Sequence, residues 1–189
     1  MASAPLLRSL FAVGLVVSSA ICASACSSKD VAIAGGGVKV QLSQPTGTGS
    51  DPSKHCTDTG TNGLLSLVDT QADGADHLLT DGQGNARVTC SIGDTSFNVH
   101  IDRQGQSFDA HGTVHATATG FESSDAAVSI YLSAGSYHTD PASPCTIEFD
   151  SSYGGGGASA TSFLCPGLLA DSAGMCAITG GIFKFTNCN

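Results

Sequence analysis

The sequence predicts an all-β fold: a disulfide-stabilised antiparallel β-sandwich or flattened barrel with long Gly/Ser/Asp-rich loops. Three observations predict it. Apolar and polar residues alternate with period two in segment after segment from Val38 to Phe185, the spacing of half-buried strands. Asp outnumbers Glu fourteen to two and Gly reaches twenty-four, a composition that favours turns over helices. Eight cysteines are dispersed along the 189 residues without a single Cys-x-x-Cys, which suits structural disulfides better than thiolate zinc or thioredoxin-like chemistry.

The first 25 residues stand outside that fold. Arg8 precedes an apolar run at residues 10–17, well short of the roughly 20 residues that span a bilayer, and small residues Ala23 and Ala25 follow. This is the pattern of an export signal. Two processing routes are open. Either a signal peptidase cuts after Ala25 and the protein is secreted with Cys26 at its new terminus, or Cys26 is acylated and the chain is tethered to a membrane. Cysteine parity favours the second: Cys22 leaves with the signal, and lipidation of Cys26 leaves Cys56, Cys90, Cys145, Cys165, Cys176 and Cys188, an even set. Six cysteines allow three disulfides in fifteen connectivities, and sequence does not choose among them. The organisation expected is a signal peptide at 1–25, a lipid-anchored tether at 26–34 and a single β domain at 35–189.

Within the domain, residues 38–44 alternate with Val38, Val40 and Leu42 on one face, an edge-strand pattern, and the Pro/Gly/Thr/Ser-rich stretch 45–53 reads as a loop. Residues 64–68 are ambiguous, because Leu64, Leu65 and Val68 also share a helical face. Residues 71–85 lack periodicity and read as an irregular crossing anchored by Leu78 and Leu79.

The clearest β signal follows. Residues 86–92 and 97–102 alternate, and the alternation resumes at Phe108 after Gln104-Gly105, a dipeptide suited to a two-residue hairpin turn. That turn sets Arg103 opposite Gln106, Ile101 opposite Phe108, Val99 opposite Ala110 and Phe97 opposite Gly112. All the apolar side chains then share one face, as register requires where one face is buried. Further strands are expected at 127–132 and 145–150, separated by the Pro141/Pro144 loop, with a flexible glycine loop at 153–158. A final hairpin is expected from 174–179 and 181–188, meeting at Gly180-Gly181. Seven to nine strands result.

After loss of the signal the formal charge is about −10, since Arg8 is the only charged residue removed from a chain of net charge −9. That excludes the basic footprint of a nucleic-acid binder. The core has no Trp, and disulfides compensate for limited burial in small exported domains.

On the polar face of the expected hairpin, His100 lies opposite Asp109 and Asn98 opposite His111, with His115 further along. His100, Asp109 and His111 are therefore the candidates for a metal site or an acid–base pair. A solvent face must also be covered with something polar, and His111 and His115 are about 13 Å apart along an extended strand. The acidic stretch with Asp69, Asp73, Asp76 and Asp81 does not match an EF-hand loop. Gly-x-Ser-x-Gly is absent, the two Glu are far apart in sequence, and no motif calls for a cofactor.

The signal, the Ala23-Ser24-Ala25-Cys26 start, the low charge content and the terminal Gly181-x-Phe183-x-Phe185-x-x-Cys188 segment together resemble small uncharacterised envelope lipoproteins of Gram-negative bacteria of the myxobacterial type. The resemblance implies sorting to the outer membrane, since Ser27 and Ser28 follow the cysteine, and it implies no defined ligand or reaction. The function expected is a structural or binding role toward an envelope protein, a glycan or the cell wall. The alternative is a small metal-dependent or hydrolytic secreted enzyme using the His/Asp cluster.

Overall fold

The computed structural model describes residues 32–46, 55–172 and 174–189. The segment expected to be a signal peptide, and Cys26 after it, lie outside the described residues.

Fourteen strands and a single 3₁₀ turn at Gly60–Gly63 make up the regular structure of the described residues, with no α-helix among them. The strands are β1 Gly35–Ser43, β2 Leu64–Leu67, β3 Asp69–Thr70, β4 Asp76–His77, β5 Leu79–Thr80, β6 Ala86–Ile92, β7 Ser96–Arg103 and β8 Gln106–Thr113. After them come β9 His115–Ala116, β10 Phe121–Leu132, β11 Gly135–Thr139, β12 Cys145–Phe149, β13 Ala158–Ala170 and β14 Met175–Thr186. Apart from the small β3–β4 pair, all belong to one antiparallel sheet ordered β2-β1-β14-β13-β11-β10-β8-β7-β6.

Three short strands continue lines already in the sheet. β5 pairs with β1 beyond β2, and β9 pairs with β10 beyond β8. β12 pairs with both β10 and β13, as β11 does further along. β11 and β12 are therefore one strand line interrupted at residues 140–144. Pro141 and Pro144 lack the N–H a ladder needs, and the excursion closes on itself through Ser143 N–H donating to Asp140 O at 2.8 Å.

The sheet curls until its two ends meet, giving a small closed barrel core with short outer strands. The free side of β6 is covered at several points. Asn189 donates to Cys90 O and accepts from Ile92 N, while Val88 N donates to the Asp81 carboxylate at 2.9 Å. An exposed strand edge is a template for aggregation, and closure removes it.

Inside, aromatic rings from opposite walls interlock. Phe183 is the hub, with ring centroids 5.7 Å from Phe108, 5.9 Å from Phe149, 6.1 Å from Phe163 and 6.2 Å from Phe97. Edge-on pairs of this kind add about 0.5–1.5 kcal/mol each beyond burial.

The three disulfides resolve the connectivity as Cys56–Cys176, Cys90–Cys188 and Cys145–Cys165. Cys90–Cys188 staples the closing seam, and Cys145–Cys165 holds the point where β12 restarts against β13.

The β7–β8 register is the one expected, from Phe97 opposite Gly112 to Arg103 opposite Gln106, with Gln104 and Gly105 at φ 55° and 79°. Elsewhere the structure differs from the expectation. β1 is not an edge strand, because β2 and β5 cover its second side. Residues 64–67 are strand rather than helix, since Leu65 and Leu67 both enter the core. The terminal hairpin is absent: β14 runs unbroken from Met175 to Thr186, and Thr179-Gly180 form a bulge against β1. A side chain at Gly181 would meet Val40 Cγ1 at 2.5 Å and Lys39 O at 2.6 Å, so that glycine serves a close approach and not a turn. The glycine loop at 153–158 is closed by hydrogen bonds in both directions between Gly154 and Gly157.

Candidate functional site

The β7–β8 register places His100 beside Asp109, as the alternation predicts, and adds Asp102. His100 Nδ1 lies 2.6 Å from Asp109 and Nε2 lies 2.9 Å from Asp102. Burial pulls the imidazole pKa down, but the hydrogen bonds to Asp102 and Asp109 outweigh it and the net shift is upward. With both ring nitrogens on carboxylates the imidazolium form is favoured, and neither nitrogen is left to act as a base or bind an ion. His111 is not part of this clamp; it is exposed opposite Asn98 and Ala127. Among the described residues, no group of three or more His, Cys, Asp or Glu is placed to hold a metal ion.

The acidic stretch is used locally. Asp76 accepts from Lys39 and Thr70, both at 2.9 Å, and the Lys39 ammonium holds its pKa below the usual carboxylate value. Asp73 accepts from Ala75 N, and Asp81 from Val88 N. A Ser, a His and an Asp do meet on the outer face, yet Asp171 lies between Ser136 and His138, at 2.5 and 3.6 Å. The serine does not touch the imidazole, so this is not the geometry of an activated nucleophile.

What sequence reasoning missed is a cleft of about 400 Å³ where β9, β10, β12 and β13 begin or end. The only two Glu of the chain meet there. Glu122 stands directly opposite Glu148, with His115 on the other side of Glu122 and Ser162 beyond Glu148. Thr117, Thr119, Phe121 and Thr161 line the same space. Among the described residues, no partner engages the side chains of Glu122, Glu148 or His115.

The local structure that builds the cleft is tightly determined. Thr117 N donates to Gly120 O, and a side chain at Gly120 would meet Phe149 O at 2.3 Å, so the loop before β10 presses onto the end of β12. Behind it, the Tyr153 ring lies 5.0 Å from Phe121 and 4.9 Å from Phe149. The Tyr153 hydroxyl donates toward Gly93 O and Ser96 O, and burial, reinforced by Asp94, pushes its pKa up to about 12. Phe121 is thereby held half-buried at the lip of the cleft.

A second, shallower depression of about 460 Å³ lies on the same outer face, lined by Asn98, His111, Thr113 and Asp125. Asp125 is fixed from three directions, by Thr113 N at 2.9 Å, Thr113 Oγ1 at 2.6 Å and Ser123 Oγ at 3.1 Å. The Thr113 hydroxyl in particular lowers its pKa, against a smaller effect of burial.

No pair of residues in sequence could have announced the Glu122–Glu148 contact, because it depends on β12 returning beside β10. No protein-family model, no curated protein and no solved structure matches this chain.

Proposed function

We propose that this protein is an exported, non-enzymatic binding domain, held to the outer membrane by lipid on Cys26, whose ligand is a neutral glycan of the envelope or cell wall. The observation that carries the reading is the cleft. Unengaged carboxylates at Glu122 and Glu148 accept from sugar hydroxyls, Thr117, Thr119 and Thr161 supply hydroxyl groups, and Phe121 offers an apolar face to a sugar ring. Among the described residues no Lys or Arg lines it, so uronates and phosphorylated sugars have no cation in direct contact there.

Two measurements test this. Titration calorimetry of the mature chain against soluble oligosaccharides gives binding that Glu122→Gln or Glu148→Gln weakens by about tenfold or more, the size of a charge-assisted hydrogen bond. Equal affinity of both variants and the parent overturns the cleft as the site. The intact mass of protein taken from its native envelope tests the anchor: an acylated chain beginning at Cys26 supports it, and an unacylated mass points to free secretion.

One observation favours a second reading, a glycoside hydrolase. Glu122 and Glu148 are directly opposed in one cleft, and retaining glycosidases work with two neighbouring carboxyl groups. New reducing ends on prolonged incubation with the same sugars favour hydrolysis over binding alone.

A further inference from the structure

We infer that the ligand is an extended sugar chain spanning both depressions, with the Asn98–His111 depression as a second subsite; this rests on the glycan reading of the cleft. The two depressions are joined by one strand line. His111, Thr113 and His115 all point outward along β8 and β9, with Val114 between them turned into the core. On the neighbouring strand, Ala127 faces His111, and Glu122 faces His115.

From His111 to His115 is about 13 Å in an extended strand, more than one sugar ring can bridge. The Asp125 carboxylate, which itself lines the far depression, stands fixed by Thr113 and Ser123 beside the strand line that joins the two, a pre-oriented acceptor. At the far end, among the described residues, the Asn98 amide and the His111 imidazole have no partner. They contrast with His100 two residues away, whose two nitrogens are both taken by carboxylates. Polar groups left unengaged at both ends of one track, with an oriented acceptor in the far depression, fit a ligand with hydroxyls repeated along its length. The small Ala127 leaves the far depression open.

The test is calorimetry of the mature chain against N-acetylglucosamine and glucose and their β-1,4-linked oligomers up to the hexamer. Affinity is expected to rise by about tenfold or more from the shortest binding sugar to the longest. The double variant Asn98→Ala/His111→Ala, both on the outer face, is expected to erase that gain while leaving affinity for the shortest binding sugar unchanged. Affinity independent of chain length, or a double variant that binds the hexamer like the parent, overturns the second subsite while leaving the cleft standing. Absence of binding by every sugar in both series overturns the glycan reading itself, and the subsite with it.

Discussion

Glu122 on β10 and Glu148 on β12 face each other directly across an antiparallel pair, so the only two glutamates of the chain form its one like-charge Glu pair. Like charges at directly opposed positions destabilise a sheet, by a few tenths to about 1 kcal/mol. A position maintained against that cost is where stability and binding are expected to diverge. Glu148→Gln should raise the urea midpoint of unfolding while weakening sugar binding. A variant that lowers the midpoint would show that the carboxylates support the fold and would remove the argument that they serve a ligand.

The His100 clamp gives the stability a pH dependence of definite sign. Its folded pKa is raised above the unfolded value near 6.5, so the folded state binds the proton more tightly. The stabilisation is fully present below about pH 6.5 and is lost as the pH rises through the folded value. His100→Asn is expected to flatten the urea midpoint against pH across that window, and Asp109→Asn to reduce its slope. On the acid side, Asp76, Asp125 and Asp150 all have lowered pKa values. Their contribution is present above the ordinary Asp value and is lost as the pH falls through the folded values.

How much of this was legible in the sequence depended on whether the contact was local. The β7–β8 hairpin could be read to the residue, because Phe97, Val99 and Ile101 alternate toward a turn only two residues long. The His100–Asp109 contact came with it. β13 was not legible: its 13 residues contain Pro166-Gly167 and a Ser/Thr-rich start, so alternation fails although Phe163, Cys165 and Leu168 are all buried. Gly180-Gly181 has the sequence of a turn because bulges and turns draw on the same residue. The strand at 145–150 is legible, but without β13 nothing sets it beside β10, and without that pairing the cleft has no second glutamate.

Phe183 is the single residue whose loss should be felt most widely, since its ring meets four others from different strands as well as Phe185. Phe183→Ala should destabilise the domain by about 3–5 kcal/mol, as buried Phe-to-Ala changes do. Phe183→Leu, which refills part of the space, should recover a substantial share of that. Equal midpoints for the two variants would show that the aromatic contacts are not what the site requires.

The three disulfides should not be equivalent. In the chain-entropy account, cross-linking Cys90 to Cys188 closes a loop with 98 residues of sequence separation, against 20 for Cys145–Cys165. That amounts to about 5 against about 3 kcal/mol. Cys90–Cys188 also has a structural consequence the shorter bridge lacks. It positions Asn189, whose backbone bonds to Cys90 O and Ile92 N close the free side of β6. Replacing Cys90 and Cys188 together by Ala should therefore do more than lower the unfolding midpoint. The Ile92 amide should lose protection in hydrogen exchange under conditions where Val99 and Ile101, at the centre of the same hairpin, keep theirs. Replacing Cys145 and Cys165 together should leave Ile92 protection intact. If Ile92 stays protected without Cys90–Cys188, the seam is held by the hydrogen bonds and the packing of β14 alone, and the disulfide acts only on the unfolded chain.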